Sequence, residues 1–339
     1  MPDPDPQIQP DVSQSAPVSP MEVDLAGLTL RNPVMLAAGT AGYLDEMSEV
    51  LSLDAIGAVV TKSITRHPRE GNPTWRVRPN RAGMLNAVGL ANIGMEAFHE
   101  HIVPRIRSVP TTVIGSIAGF SIDDYVTVAA MMDDTDDIKA VELNVSCPNV
   151  HGGTEFGADE KALRSLIAAV RPVLTRTHLS VKLSPIAVGA VTVEDVARAA
   201  IEGLGPTGGP NNRPGADVLC VSNTMPAMQI DVKTRKPLLA NTTGGLSGPA
   251  LHPVVVRLIH VLRQGVCGAT RTPIVGAGGV LNWQDAAQFI VAGANAVQIG
   301  TGLFVNPKIP QRVVRGLDQW RRSLNADSIS DLVGTLQTE

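Results

Sequence analysis

Short apolar runs rich in Val and Ile punctuate the chain. They predict strands at Pro33–Gly39, Gly57–Ser63, Thr112–Gly119, Val141–Cys147, Leu179–Pro185, Ala216–Thr224, Pro273–Gly279 and Ala296–Leu303. The runs are nearly continuous rather than alternating, as strands covered on both faces are. Between several of them apolar positions recur with helical spacing, which predicts helices over Asp159–Thr175, Val193–Gly203, Pro249–Gln264 and Trp283–Ala292. Eight strands alternating with helices predict an α/β fold whose parallel sheet closes on itself, a (β/α)8 TIM barrel. A doubly wound open sheet shares the alternation and is the competing architecture.

Several segments stand outside that rhythm. Residues 1–20, MPDPDPQIQPDVSQSAPVSP, hold no Lys or Arg and no apolar core. That composition fits neither a secretory signal, a transit peptide nor an amphipathic anchor, and it predicts a disordered N-terminal tail. Residues 21–339 then form one barrel domain, a normal size for that fold. Met21–Asn32 alternates and turns at Ala26–Gly27, which predicts an N-terminal hairpin closing the barrel bottom. The Gly/Pro/Asn stretch Gly205–Gly215 reads as a flexible loop. His67–Leu90, after the second strand, reads as a long polar loop outside the core, and loops of that length on a barrel usually serve function.

Composition narrows the function classes. The formal net charge is −4 and aromatics make up 3% of residues, so a basic face and stacking platforms for nucleic acid are both missing. The cysteines Cys147, Cys220 and Cys267 match no zinc or iron–sulfur spacing and make no disulfide framework, which agrees with a reducing cytoplasm. No apolar run reaches the roughly 18 residues a membrane span needs.

Polar residues gather where the predicted strands end. Lys62 ends the second, Asn144 through Asn149 end the fourth, Lys182 lies in the fifth and Asn223–Thr224 end the sixth. The C-terminal ends of barrel strands converge on one mouth, where barrel active sites lie. The last two strands end in Gly278–Gly279 and Gly300–Thr301, and Gly244–Gly245 with Gly248 make a third glycine turn before a helix. Glycines let backbone N–H groups approach a phosphate, and phosphate sites after strands seven and eight recur in barrels. A tight turn is the plainer reading of any single pair. No GxGxxG follows the first strand, so a Rossmann nicotinamide site is not indicated. A phosphate site beside two lysines suits a phosphorylated cofactor with an electron-accepting ring. Lys182, in VKLSP, is the candidate for stabilising charge on a reduced flavin, and Lys62 suits either the flavin or an anionic substrate. Lysine is almost never buried unpaired, so a role for Lys182 is the stronger reading.

Cys147 stands in VELNVSCPNVHGGTEFG. A thiol titrates near neutrality and can serve as base for a carbon acid. A small buried hydrophobe is the plainer reading of a free cysteine, and the flanking Asn144, Ser146 and Asn149 at a strand end weigh against it here. His151 is a second candidate base. Cys220 reads as core of the sixth strand, and Cys267 sits in a predicted loop with no role. Asn86, in GMLNAVGL of the long second loop, joins Asn144, Asn149 and Asn223 as a candidate amide cluster. Amides donate and accept, which suits a small ring carrying imide and carboxylate groups, although single loop asparagines commonly form turns.

From about Met21 to Pro307 the motifs GMLNAVGL, LNVSCPNV, VKLSP, SNT, DVKTRKPLLANTTGGLSGPA, GAGGV and QIGTGLF keep the order of one family. In them the chain resembles class 1 dihydroorotate dehydrogenases. The resemblance implies a (β/α)8 barrel, bound FMN, and a cysteine base on a loop after strand four, the place of Cys147. Class 2 enzymes, membrane-associated quinone users, carry serine there. DVKTRKPLLAN and GGLSGP are most similar to the B type. That likeness implies a partner subunit bearing FAD and a 2Fe–2S cluster, NAD as electron acceptor, and assembly as a homodimer or heterotetramer. By position, Lys62, Asn86, Ala87, Val88, Gly89, Leu90, Asn144, Asn149, Asn223 and Thr224 would contact dihydroorotate. Ala38, Lys62, Ser63, Ser116, Asn144, Lys182, Ser222, Gly248, Gly278, Gly279, Gly300 and Thr301 would contact FMN, and no metal is implied. Ala38 stands where the family often has Ser and Ser116 where it often has Asn, and the Gly205–Gly215 insertion is unusual for the family. The implied reaction is oxidation of (S)-dihydroorotate to orotate in pyrimidine biosynthesis. The alternatives are reduction of free pyrimidines, as in dihydropyrimidine dehydrogenases, a fumarate-linked class 1 enzyme, or a barrel that only binds a phosphate ligand. A tRNA-modifying flavin barrel lacks the charge it would need.

Overall fold

A computed structural model describes residues 19–146, 156–185 and 192–338. The eight apolar runs form the parallel strands Val34–Leu36, Ala58–Val60, Thr112–Ile117, Ile138–Asn144, His178–Leu183, Val218–Val221, Ile274–Ala277 and Ala296–Ile299. Each pairs with the next and the eighth pairs with the first, so the sheet is a closed barrel and the open doubly wound alternative falls away. Their side chains are buried almost throughout, which is why the runs lack alternation. Most strands stop just before the polar or glycine residues at the ends of the predicted ones. Lys62, Asn223, Gly278 and Gly300 follow the ladder, whereas Asn144 is the last residue of the fourth strand. That strand starts three residues earlier than the apolar run suggests, and Cys147, Asn149 and His151 lie outside the described residues.

Helices Gly94–His101, Ile122–Asp133, Glu160–Val170, Val193–Glu202, His252–Gln264, Trp283–Ala292 and Ile309–Ser323 cover the barrel. Reciprocal capping boxes start three of them, at Ser121/Asp124, Thr192/Asp195 and Asn282/Asp285. The predicted Asp159–Thr175 helix is shorter because Pro172 cannot continue it. Asp159 is its cap, and Arg171–Val173 is a 3-10 turn. Cys267, assigned to a loop, is buried in the short helix Val266–Thr270, and burial raises its thiol pKa to about 12. Cys220 is core, as its strand position implies. The hairpin is Val23–Leu25 paired with Leu28–Leu30, and its Val and Leu side chains are buried.

Two expectations about loops are corrected. His67–Leu90 is not all loop: Val77–Asn80 and Gly83–Asn86 pair antiparallel. With Gly244–Ser247 and Met225–Ala227, from the segment after the sixth strand, they make a four-stranded sheet. Leu85 in it is buried. Gly205–Gly215 is not free but tied to the barrel floor. The guanidinium of Arg171 is fully buried and bonds the Asp217 carboxylate at 2.8 Å. A side chain at Gly209 would collide with that guanidinium. Asn211 donates to Asp217 at 2.9 Å and to the Ala26 carbonyl of the hairpin turn at 2.7 Å. The glycines and prolines there turn the chain sharply around a buried ion pair.

Candidate active site

Strand ends four, five and six meet in a linked set of amides and hydroxyls. Asn223 Nδ2 donates to Asn144 Oδ1 and to Ser146 Oγ, both at 3.0 Å, and Ser146 Oγ lies 2.8 Å from Ser184 Oγ. Asn223 Oδ1 in turn accepts from the Thr224 backbone N–H at 2.8 Å. The Tyr125 hydroxyl, from the helix behind, donates to the Asn144 carbonyl at 2.7 Å and fixes the strand end. The structure therefore brings Asn144, Asn223 and Thr224 together. It adds Ser146 and Ser184, whose position in the motifs NVSC and KLSP was the only sequence signal for them. Asn86 joins from the sheet, donating to the Gly245 carbonyl at 3.2 Å. Gly245 carries no side chain, and a Cβ there would stand 1.8 Å from Thr224 Oγ1.

The second loop contributes unneutralised positive charge. Lys62 is half-buried, and among the described residues no carboxylate is paired with it. Burial, then the nearby Arg76 guanidinium, holds its pKa below the usual lysine value. The backbone N–H groups of Val88, Gly89 and Leu90 also have no acceptor among the described residues, and Gly89 and Leu90 are left-handed, with φ of 75° and 57°. Successive N–H groups in such a turn favour an anion. Arg76, absent from the sequence-level candidates, holds this loop through the carbonyls of Asn72 and Glu70.

Lys182 is in the opposite state. Its ammonium donates to Gln298 Oε1 at 3.1 Å and lies 3.8 Å from Glu142 Oε1, while Gln298 Nε2 donates to Glu142 Oε2 at 2.6 Å. Burial works against the charge, but the Glu142 carboxylate outweighs it and raises the lysine pKa. Glu142 and Gln298 were missed in the sequence. A carboxylate in an apolar strand, two residues before Asn144, was the available signal, since such a group needs a partner.

The glycine turns after strands six to eight form a cradle at the same end. A Cβ at Gly248 would stand 2.7 Å from the Gly83 Cα, and one at Gly279 would stand 2.5 Å from the Gly248 carbonyl. Gly300 has open space: its nearest neighbour would be Ala37 Cβ at 3.5 Å. The N–H groups of Gly279, Gly300 and Thr301 find no acceptor among the described residues. Free amides in a space kept clear of side chains fit a phosphate group. Other residues expected at the cofactor also bond or pack within the protein. Ser116 is fully buried and its hydroxyl lies 2.8 Å from that of Ser63. Ser222 donates its hydroxyl to the Asn223 carbonyl at 3.0 Å. Ala38 packs against the core beside the first strand.

The profile of the family described as dihydroorotate dehydrogenase matches residues 20–320. This chain belongs to the dihydroorotate dehydrogenase family. It is 43% identical over 318 residues, 94% of this chain and 98% of the relative, to the dihydroorotate dehydrogenase B (NAD(+)) catalytic subunit of Trichlorobacter lovleyi. Proteins of the same name from Pelobacter propionicus and Bacteroides fragilis are 42% and 39% identical, each over 94% of this chain. Membership makes this dihydroorotate dehydrogenase relative an oxidoreductase. No helix among its described residues is long and apolar enough to cross a membrane.

Proposed function

We propose that this chain oxidises (S)-dihydroorotate to orotate, with FMN as its resident cofactor, in cytoplasmic pyrimidine biosynthesis. Residues 21–339 act as the catalytic unit. The observation that carries the reading is the amide cluster of Asn144 and Asn223 at the strand ends of a dihydroorotate dehydrogenase barrel, with Lys62 ending strand two unpaired with any described carboxylate and three N–H groups of the segment that follows it without a described acceptor. Lys62 and the N–H groups of Val88, Gly89 and Leu90 bind the substrate carboxylate. Asn86, Asn144, Asn149, Asn223 and Thr224 orient the ring amides, which sets the reacting carbon in place. Cys147, three residues beyond Asn144, takes the proton from C5. Gly248, Gly278, Gly279, Gly300 and Thr301 hold the FMN phosphate, while Ala38, Ser63 and Ser222 line the cofactor, the buried Ser116 backs Ser63, and Lys182 supplies positive charge to its ring. When bound, FMN supplies the hydride-accepting ring. A chain this similar to B-type catalytic subunits passes its electrons to NAD through a separate subunit with FAD and a 2Fe–2S cluster, in a homodimer or heterotetramer. The lysine and the free N–H groups favour an anionic substrate over a free pyrimidine, which offers no carboxylate.

Anaerobic mixing of the FMN-loaded protein with dihydroorotate tests this. The flavin absorbance is expected to bleach with dihydroorotate and not with dihydrouracil. Cys147→Ala should keep the flavin spectrum and slow bleaching by about 10²–10⁴-fold. An undiminished Cys147→Ala rate would remove the base role, and faster bleaching by dihydrouracil would overturn the substrate. Fast turnover of the lone chain with fumarate would overturn the NAD route.

A further inference from the structure

On the outer layer, helices His252–Gln264, Trp283–Ala292 and Ile309–Ser323 bound an apolar groove of about 590 Å³. Trp283 and Trp320 line it, with ring centroids 6.5 Å apart, and they are two of the chain's three tryptophans. Arg257 and His260 are its ionisable lining residues, and no Asp or Glu lines it. His260 Nδ1 is buried with no hydrogen-bond partner among the described residues. A barrel's outer helix faces are ordinarily polar, so an aromatic groove on them calls for a cover.

The chain carries a segment suited to it. Residues 1–18, MPDPDPQIQPDVSQSAPV, hold five prolines and three aspartates and no Lys or Arg. They precede the part that the family profile matches, which begins at residue 20. Their point of departure is close by. The Pro20 carbonyl accepts from the Ile329 N–H at 2.8 Å, and Ile329 leads to Leu336, which lines the groove and bonds the Val291 carbonyl. Between Ile329 and Leu336 the chain spans at most about 25 Å. A proline-rich segment the length of residues 1–18 reaches about 55 Å. Aromatic-lined grooves take proline-rich segments, whose extended form loses little entropy on docking. The aspartates complement Arg257 in charge.

We propose that residues 1–18 dock in this groove on their own chain, laying prolines on Trp283 and Trp320 and aspartates toward Arg257. Tethering makes the effective concentration millimolar, so weak intrinsic affinity suffices.

The test places a benzophenone amino acid at Ile8 of the full chain and maps its cross-links. Links to residues 283–291 or Trp320 within one chain are expected. Links only between chains would make a second copy the occupant, and links only elsewhere on the surface would reject the groove; either outcome overturns the proposal. In parallel, a synthetic peptide of residues 1–18 is titrated onto protein lacking residues 2–18 and followed by tryptophan emission. A saturable change is expected, and its absence overturns the proposal. Gln284→Glu with Gln288→Glu, at exposed rim positions, is expected to weaken that binding about fivefold, or about 1 kcal/mol. Unchanged binding in this variant would remove the charge argument and with it the assigned occupant.

Discussion

Lys62 and Lys182 sit at one barrel mouth in contrasting electrostatic states, and each state follows from its neighbours. Lys182 has Glu142 beside it, so its charge is locked in at any physiological pH. Lys62 has Arg76 near it and no carboxylate among the described residues, so its charge is held at a cost that an arriving anion relieves. Lys62→Met is therefore expected to raise the KM for dihydroorotate about 10–100-fold, the worth of a charged hydrogen bond, with a smaller effect on kcat. The pH dependence has a definite sign. The cation is present below the Lys62 pKa, which is lowered in the free protein, so substrate affinity falls as pH climbs through it, earlier than for an ordinary lysine. Bound substrate raises that pKa again, so kcat should hold to higher pH than kcat/KM. Coincident alkaline limbs in the two profiles would defeat this assignment.

At the scale of elements, the sheet over the mouth is held by backbone meeting backbone. A Cβ on Gly83 would stand 2.0 Å from the Ser247 carbonyl. Gly83→Ala is expected to cost about 1–3 kcal/mol locally and to part the two loops. A raised KM and lower FMN content, with the barrel still folded by circular dichroism, would show it. This sheet is also where the sequence was least legible. RVRPNRAGMLN has neither alternation nor apolar density, and its partner Gly244–Ser247 is glycine-rich. The pairing that makes them strands joins residues 159 apart, as between Asn86 and Gly245. The barrel strands were legible because double-sided burial writes itself as continuous Val and Ile. Asn144 and Asn223 were legible from their strand-end positions. Glu142 and Gln298 were not, because each looks like a lone polar exception until strands four, five and eight are brought together. Gly205–Gly215 misled for the converse reason: its composition speaks of turns, and the buried Arg171 that anchors it lies in a separate segment.

For the molecule as a whole, floor and mouth divide the labour. The floor carries the hairpin, the Arg171–Asp217 pair and the docked Gly205–Gly215 segment, while the candidate chemistry stands at the other end. Arg171→Ala leaves Asp217 buried without its partner and should cost about 3–5 kcal/mol of stability. A lower Tm with an unchanged KM at low temperature is the expected signature. An altered KM would mean that floor and mouth are coupled.

The loops of a barrel are commonly regarded as interchangeable parts, each free to change length or sequence while the rest stand still. Here the segments after strands two and six share one hydrogen-bonded register, Gly245 opposite Asn86 and Ser247 opposite Met84. They can only be exchanged as a pair. A graft or a deletion in one carries a debt in the other, so specificity at this mouth is a property of two distant stretches of sequence that must drift together.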